Sequence, residues 1–266
     1  MRNPTRRSTL GAVACALCFT FAAVGSAPAK AESPDEAARQ VLKSMTDYVS
    51  KLDAVSLDFS ADLEAVTTKG FKLQFPASGQ MTLDRPNKFK ITRKGGHSDI
   101  ELVSDGETIT LYGRGKNAYA QKKAPDSFEA FVDMGREKRG MDIPGADLFL
   151  SNAYEELIEP VTEAMYLGTG VVDGVECDHL AFRTPDVDWQ IWVAKGDKPY
   201  PCKYVVTSKW TTAAPEYSLR IRNWNDSPKL EDDSFAFRPG EAAKKVELSD
   251  IDANVLLPET LKKGAQ

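Results

Sequence analysis

The chain has 266 residues, with 34 basic and 39 acidic side chains and a net charge of −5 when histidine is neutral. This acidic balance excludes a protein built to bind polyanions, so we expect no nucleic-acid partner and no binding to anionic lipid surfaces. The length fits one large β domain as well as two small domains, so length alone does not divide the chain.

The first 31 residues have the pattern of a secretory signal peptide. Arg2, Arg6 and Arg7 precede a short apolar run from Leu10 to Val24, and Ala29-Lys30-Ala31 is a small-x-small cleavage site. The run is too short and too interrupted for a membrane-spanning helix, which needs about 20 residues. We therefore expect a periplasmic protein that is cleaved after Ala31 and has no stable membrane span. A general secretory signal is favoured over a twin-arginine signal, although both export routes stay open.

Cleavage removes four basic residues and no acidic ones, which leaves 30 basic against 39 acidic residues and a net charge of −9. A helix is predicted to begin at Ser33-Pro34-Asp35-Glu36, because serine caps helix amides and proline suits the first turn. Apolar residues then recur with the helical period of 3.6, at Val41, Met45, Tyr48, Val49 and Leu52. Such an apolar stripe must pack against another part of the molecule.

Apolar and polar residues alternate after this helix, which is the pattern of strands with one buried face and one wet face. The alternation occurs within residues 55–65, 71–75, 81–83, 89–91 and 109–111. Glycine and proline residues interrupt these runs at predicted turns and bulges. The spacing predicts an up-and-down antiparallel sheet.

The middle of the chain, from Pro125 to about Glu159, is apolar with helical spacing, and glycines and prolines divide it into two or three short helices. Strands are predicted to resume from Val161, with apolar alternation at residues 180–182, 189–193, 204–206 and 217–221 and a last short strand at Phe235 and Phe237. A weak helical pattern follows Pro258. No convincing linker is present, so residues 32–266 are predicted to form one domain.

The stretch from Ser78 to Tyr112 resembles the periplasmic lipoprotein carriers of the LolA/LolB type. The positions that carry the resemblance are Ser78, Gly79, Met81, Leu83, Arg85, Pro86, Asn87, Phe89, Ser104, Asp105, Gly106, Thr108, Leu111 and Tyr112. The second half, through residues 173–183 and 188–192, resembles a narrower family, the predicted periplasmic proteins with a domain of unknown function. That family is usually grouped with the carriers.

The resemblance implies a mainly β fold with helices (α+β). Its strongly curved, unclosed antiparallel half-barrel would have a concave face plugged by the N-terminal helix and by helices inserted at about 125–159. In the carriers such helices form a lid over an apolar cavity that receives acyl chains. An arginine at the position of Arg85 can hold that lid closed, although Arg85 could also simply complete the turn before Pro86. The insertion here is longer and more aromatic than a minimal lid, so a permanent plug is an alternative to a mobile lid.

The apolar face of the predicted sheet supplies the ligand-binding residues that we expect. They are Leu57, Phe59, Leu63, Met81, Leu83, Phe89, Ile91, Ile109, Leu111, Leu180, Phe182, Trp189 and Ile191. Trp189 shares the face of Ile191 and is expected to pack in the core, whereas Trp192 lies on the opposite face and is expected to be exposed.

Two cysteines remain after cleavage, Cys177 and Cys202. An oxidising compartment favours a disulfide between them. In a simple meander, however, their strands are second neighbours about 9–10 Å apart, which is too far for a bond. The two can meet if the strand between them ends early, and on balance we predict a disulfide. Cys177-x-His179 with Cys202 lacks the paired spacing of zinc ligands, so no metal site is predicted.

The sequence contains no Gly-x-Ser-x-Gly nucleophile motif and no glycine-rich phosphate loop. We therefore predict a non-enzymatic, monomeric binding or carrier protein without a cofactor, whose partner is an acyl chain of a lipid or lipoprotein. The alternative is an envelope protein-interaction or stress-sensing module with the same fold, a filled cavity and an envelope protein as its partner.

Overall fold

The computed structural model describes residues 34–137 and 145–248. The predicted signal peptide, its cleavage site and the weak helical pattern after Pro258 lie outside the described residues. None of the helices in these two ranges has the length and apolar character needed to cross a bilayer.

The described residues form twelve strands and three α-helices. The strands are β1 (Ala54–Val66), β2 (Lys72–Asp84), β3 (Lys88–Gly95), β4 (Asp99–Asp105), β5 (Thr108–Gly113), β6 (Ala118–Lys123), β7 (Glu163–Val172), β8 (Val175–Arg183), β9 (Val187–Ala194), β10 (Pro201–Ser208), β11 (Glu216–Asn225) and β12 (Lys244–Lys245). The helices are α1 (Pro34–Ser50), α2 (Phe128–Glu137) and α3 (Ala153–Ile158), with 3-10 helices at Arg114–Lys116 and Ala146–Phe149.

All twelve strands belong to one open sheet in the order β12-β6-β5-β4-β3-β2-β1-β11-β10-β9-β8-β7. The short strand β12 pairs with β6 in parallel, and the other neighbouring strands are antiparallel. Two meanders, β1–β6 and β7–β11, are thus joined where β1 pairs with β11. The mainly β fold, with an unclosed antiparallel sheet and an N-terminal helix, confirms the predicted fold class.

The sheet must curve, because residues from distant strands pack into one core. Twelve flat strands would span roughly 53 Å at about 4.8 Å per step. Even so, Phe89 of β3, Leu111 of β5 and Ile191 of β9 belong to the same buried cluster as the helices. The sheet therefore wraps its apolar face around these helices, as a half-barrel does.

Helix α1 forms where the capping pattern and the 3.6-residue period predict it. Its stripe is fully buried at Ala38, Leu42, Met45 and Val49, and the helix lies against β7, β8 and β9. The hydroxyl of Thr46, also buried, donates to the backbone carbonyl of Leu42. The apolar side of α1 thus covers the second meander.

The predicted strand at Phe235 and Phe237 is wrong, since both residues lie in a turn and an irregular segment. The ring of Phe237 instead packs against Tyr112 at 5.6 Å and Tyr119 at 5.1 Å. The alternation of the two phenylalanines therefore reflects anchoring of the chain to β5 and β6. Strand pairing in this region comes from β12, which has no apolar residue.

Gly79 in β2 allows the close approach of a neighbouring strand. A Cβ atom at this position would lie 1.8 Å from the backbone oxygen of Thr92 and 2.7 Å from the ring of Phe59. We expect Gly79→Ala to lower the free energy of unfolding by about 1–3 kcal/mol, because the strands must separate to admit the methyl group. Urea unfolding of the purified protein measures this change.

The matched control is Gly96→Ala, since a Cβ atom at Gly96 meets nothing within 4 Å. It should change the free energy of unfolding by no more than about 0.5 kcal/mol. Equal effects of the two substitutions would show that the close approach at Gly79 does not matter.

Candidate functional site

The apolar face of the sheet brings together the predicted ligand-binding residues. Leu57, Met81, Leu83, Phe89, Ile91, Ile109, Leu111, Leu180, Phe182, Trp189 and Ile191 are buried in one cluster, and Phe59 packs partly buried against it. Leu63 is half-buried and lies outside this cluster. Beyond Leu63, towards the β1–β2 hairpin, Phe71 is 67% exposed. The continuous apolar face therefore ends before the hairpin tip.

Helical segments between β6 and β7 cover this face, and we call the described residues 125–137 and 145–159 the plug. The large plug side chains that are buried in the common cluster are Phe128, Phe131, Leu148, Phe149, Leu150 and Leu157. Phe89 on the sheet contacts Phe131 at 4.7 Å and Phe128 at 5.4 Å between ring centroids. The plug therefore packs directly against the apolar face of the sheet.

Arg85 joins three segments at the rim of the covered face. Its Nε donates to the carbonyl of Leu52, just after α1, at 3.1 Å, and one terminal nitrogen donates to the carbonyl of Phe149 in the plug at 2.6 Å. The other terminal nitrogen pairs with Glu129 of α2 at 3.4 Å. Because the side chain is only 17% exposed, these contacts hold a largely buried charge.

The two residues after Arg85 add contacts to the start of the plug. The carbonyl of Pro86 accepts from the amide of Phe128 at 2.8 Å. The Asn87 side-chain amide donates to the carbonyls of Gly106 and Pro125, both at 3.1 Å. The tight turn between β2 and β3 therefore holds the plug along its edge, and we call Arg85, Pro86 and Asn87 the clamp.

Glu129 is a clamp partner that the sequence did not reveal. Besides the Arg85 pair, its carboxylate accepts from the amide of Ser151 at 2.9 Å, so it links two parts of the plug. Burial by itself would raise the pKa of Glu129, but hydrogen bonds from its own amide and from Ser151 and Ser127 hold the pKa below its usual value. The only sequence signal was its place just after Ser127, whose hydroxyl caps α2 through the amide of Ala130 at 3.1 Å.

A polar cluster lies beneath the 3-10 helix of the plug. Burial raises the pKa of Asp147, and burial together with the Asp147 charge raises that of Tyr204 well above its usual value. Tyr217 next to them also has a raised pKa because it is buried. Within the described ranges, no buried side-chain nitrogen or oxygen lacks a hydrogen-bond partner. Asp147 thus gives the plug a polar contact with Tyr204 of β10 in addition to its apolar contacts.

Two of the cavities that are lined by described residues adjoin these elements. An apolar one among β4, β5, β6 and the residues Met134 and Leu248 has a volume of about 30 Å³, enough for about one water molecule and far too little for an acyl chain. A second is an open groove of about 690 Å³ between α1 and the end of β9, lined by both apolar and charged side chains such as Tyr48, Asp47 and Lys195. Within the described ranges, the buried side chains of the plug thus lie against the apolar face of the sheet.

Cys177 and Cys202 are both buried and are not bonded to each other in this structure, so the disulfide between them stays a prediction. Their neighbour His179 is engaged elsewhere. Its ring stacks on Trp192 with centroids 4.0 Å apart, and its Nε2 lies 3.0 Å from the side-chain oxygen of Gln190. Burial lowers the pKa of His179. Trp192, which we expected to be exposed, is only partly exposed, because its indole lies between the ring of His179 and the ammonium group of Lys203.

The family model described as "Predicted periplasmic protein (DUF2092)" matches residues 38–249. This match confirms the resemblance seen in the second half of the sequence. No curated protein matches the chain in sequence.

Several solved structures are similar to the chain at low identity. LprF from Mycobacterium bovis is 13% identical, with a TM-score of 0.45 over 75% of this chain and 97% of that one. The lipoprotein LppX from Mycobacterium tuberculosis is 13% identical, with a TM-score of 0.42 over 74% and 100%. A LolA superfamily protein from Nitrosomonas europaea is 8% identical, with a TM-score of 0.37 over 75% and 97%. Similarity at this level carries no inference about ligand or partner.

Arg85→Ala should destabilise the protein, because the carbonyls of Leu52 and Phe149 and the carboxylate of Glu129 all lose their donor. We expect the free energy of unfolding to fall by about 2–4 kcal/mol, measured by urea unfolding. The control Arg39→Ala removes an arginine that makes one exposed pair within α1, to Asp35, and should cost no more than about 0.5 kcal/mol. Equal losses would argue against the clamp.

The lowered pKa of Glu129 predicts a pH dependence of the clamp. A carboxyl group whose pKa is lower in the folded protein stabilises it fully above the unfolded pKa, 4.5 for glutamate, and loses this contribution as the pH falls through the folded value. Wild type should therefore melt at a higher temperature than Glu129→Gln at pH 6, and the gap should close as the pH falls below about 4.5. A gap that stays constant down to pH 3 would contradict this role.

Proposed function

We propose that this chain, which belongs to the DUF2092 family of predicted periplasmic proteins, is a carrier that shelters an acyl chain of a lipid or lipoprotein. The protein is periplasmic, as its family is described. The carrier role needs no chemical step, because binding and release follow the movement of the plug. The observation that carries the proposal is a continuous apolar sheet face covered by a segment that one arginine holds at its rim.

The magnitudes of apolar burial support an exchange between plug and ligand. Burying the six large plug side chains stabilises the closed form by about 9–18 kcal/mol, at ~1.5–3 kcal/mol each. Opening without a ligand is therefore rare. An acyl chain of about fifteen methylene groups gains about 12 kcal/mol from burial at ~0.8 kcal/mol each. A single long chain can thus replace most of the contacts that a displaced plug gives up.

The contacts of the clamp set the free-energy barrier that must be crossed before the plug can be exchanged for a ligand. Arg85 contacts the end of α1 and two parts of the plug, so its release loosens all three segments at once. Its partners are two backbone carbonyls and one carboxylate, and water or a lipid headgroup can replace each of them in an open form. The clamp therefore controls opening while the apolar face determines what binds.

A second candidate function is a protein-interaction module whose plug never leaves. The buried plug residues favour it, as do three exposed apolar side chains on the edge strand β7. Met165 is 49% exposed, Leu167 50% and Val171 71%. Exposed apolar side chains beside unpaired strand backbone can be covered by another protein chain.

Binding of a fluorescent fatty acid with a sixteen-carbon chain separates the two candidates. For a carrier we expect saturable binding to wild type, and faster binding to Arg85→Ala because the plug opens more often. Arg39→Ala should bind as wild type does. Native mass spectrometry of protein purified from its own envelope should also show a lipid that is lost after organic extraction.

A permanent plug gives the opposite results. Neither wild type nor Arg85→Ala would bind the probe, and no lipid would co-purify. In that case a photo-crosslinker at Val171 should capture an envelope protein, and an exposed control position such as Lys229 should not.

A further inference from the structure

We propose that Cys177 and Cys202 form an intramolecular disulfide in the periplasmic protein, which ties β8 to β10 across the end of β9. The two cysteines are on second-neighbour strands, the arrangement in which an intact middle strand keeps thiols apart. The local geometry removes this obstacle.

The middle strand ends where the cysteines lie. Cys177 pairs with Ala194, which is the last residue of β9. The amide of Ala194 donates to the carbonyl of Tyr200, which closes the loop that leads from β9 into β10. The pairing of β9 with β10 shifts between Pro201 and Lys203, which leaves Cys202 as the extra residue of a bulge. A bulge changes the direction in which the side chain of its extra residue points, and here it brings the Cys202 side chain into the same cluster as Cys177.

The two thiols lie in a small apolar cluster of their own, with Val172 and Ala194. They interact directly: the Cys202 thiol holds the pKa of Cys177 below its usual value, and the Cys177 thiol and burial raise that of Cys202. The side chains are 0% and 2% exposed. Because both thiols are buried in the folded protein, they must react before the strands close over them.

The oxidant is an external disulfide of the kind that an oxidising periplasm supplies. The thiolate of Cys177 attacks one of its sulfurs and displaces a thiolate, which gives a mixed disulfide. The thiolate of Cys202 then attacks the Cys177 sulfur and displaces the second thiolate. The two cysteines lose two protons and two electrons, and the external disulfide is reduced to two thiols.

The bond would fix the start of β10 beside the plug. Tyr200, two residues before Cys202, stacks on Trp224 with ring centroids 5.1 Å apart and an angle of 8°. Trp224 in turn stacks on Phe149 of the plug at 6.2 Å, and its indole nitrogen donates to the hydroxyl of Tyr48 in α1 at 3.4 Å. A crosslink at Cys202 therefore steadies an aromatic stack on which both α1 and the plug rest.

The decisive experiment uses the full chain, exported to the periplasm of a host by its own leader. The purified protein is denatured and treated with iodoacetamide, with and without prior reduction. We expect no carbamidomethyl group without reductant and two with it. Trypsin cuts after Arg183 and Lys195, so the peptide Gly196–Lys203 should be found joined to the peptide that ends at Arg183.

Two alkylated cysteines without reductant would overturn the proposal. So would a mixed disulfide with another molecule, or a dimer on a non-reducing gel that reductant converts to monomer. Alkylation of one cysteine alone would also overturn it, because the other would then be engaged elsewhere.

The melting temperature gives a second readout. Reductant should lower that of the wild type by about 6–12 °C, as expected when a loop of this size loses its crosslink. The double variant Cys177→Ala, Cys202→Ala is the matched control, and reductant should leave its melting temperature unchanged. An equal response of both proteins to reductant would count against the bond.

Discussion

An open sheet with one apolar face must bury that face, and the rest of this structure follows from this requirement. The two meanders join through β1 and β11 and leave edges at β12 and β7, so the sheet does not close on itself and cannot fill its own interior. Cover has to come from helices or from a ligand. In this protein α1 lies against β7, β8 and β9, and the plug covers the strands around Phe89.

Burying a guanidinium at the rim of an apolar face is costly unless every donor finds a partner. The Arg85 side chain offsets part of this cost by reaching the carbonyls of Leu52 and Phe149 and the carboxylate of Glu129. These partners come from three separate segments, so the requirement of one side chain fixes how α1 and the plug meet the β2–β3 turn. A lysine could not satisfy the three directions together, because its single ammonium group lacks the fork of the guanidinium.

The sequence predicts those features that have a period or a local signature. Alternation predicted most strands of both meanders but did not identify β4 or β6, and the 3.6-residue period with a capping pattern predicted α1. Long-range contacts leave no such trace. Glu129 and Asn87 acquire their roles only when Ser151 and Pro125 are brought to them by the plug.

Alternation of apolar and polar residues gives wrong predictions at the edge of the buried core. Phe235 and Phe237 alternate like a strand but anchor an irregular segment, and Leu63 continues the β1 pattern beyond the edge of the core. The alternation pattern also does not reveal that Cys177 and Cys202 lie close together, because this depends on a bulge in β10 that the pattern does not contain.

The division of contacts between rim and interior bears on whether the plug can move. At the rim, Arg85, Asn87 and Pro86 hold the plug by hydrogen bonds, each with a net contribution of only about 0.5–3 kcal/mol because water replaces the partner on opening. In the interior, side chains such as Phe131 and Leu148 are held by apolar burial, which water cannot replace. Water can therefore release the rim, but the interior opens at low cost only when something apolar takes the place of the plug. The proposed exchange of the plug for an apolar ligand therefore requires the release of both sets of contacts.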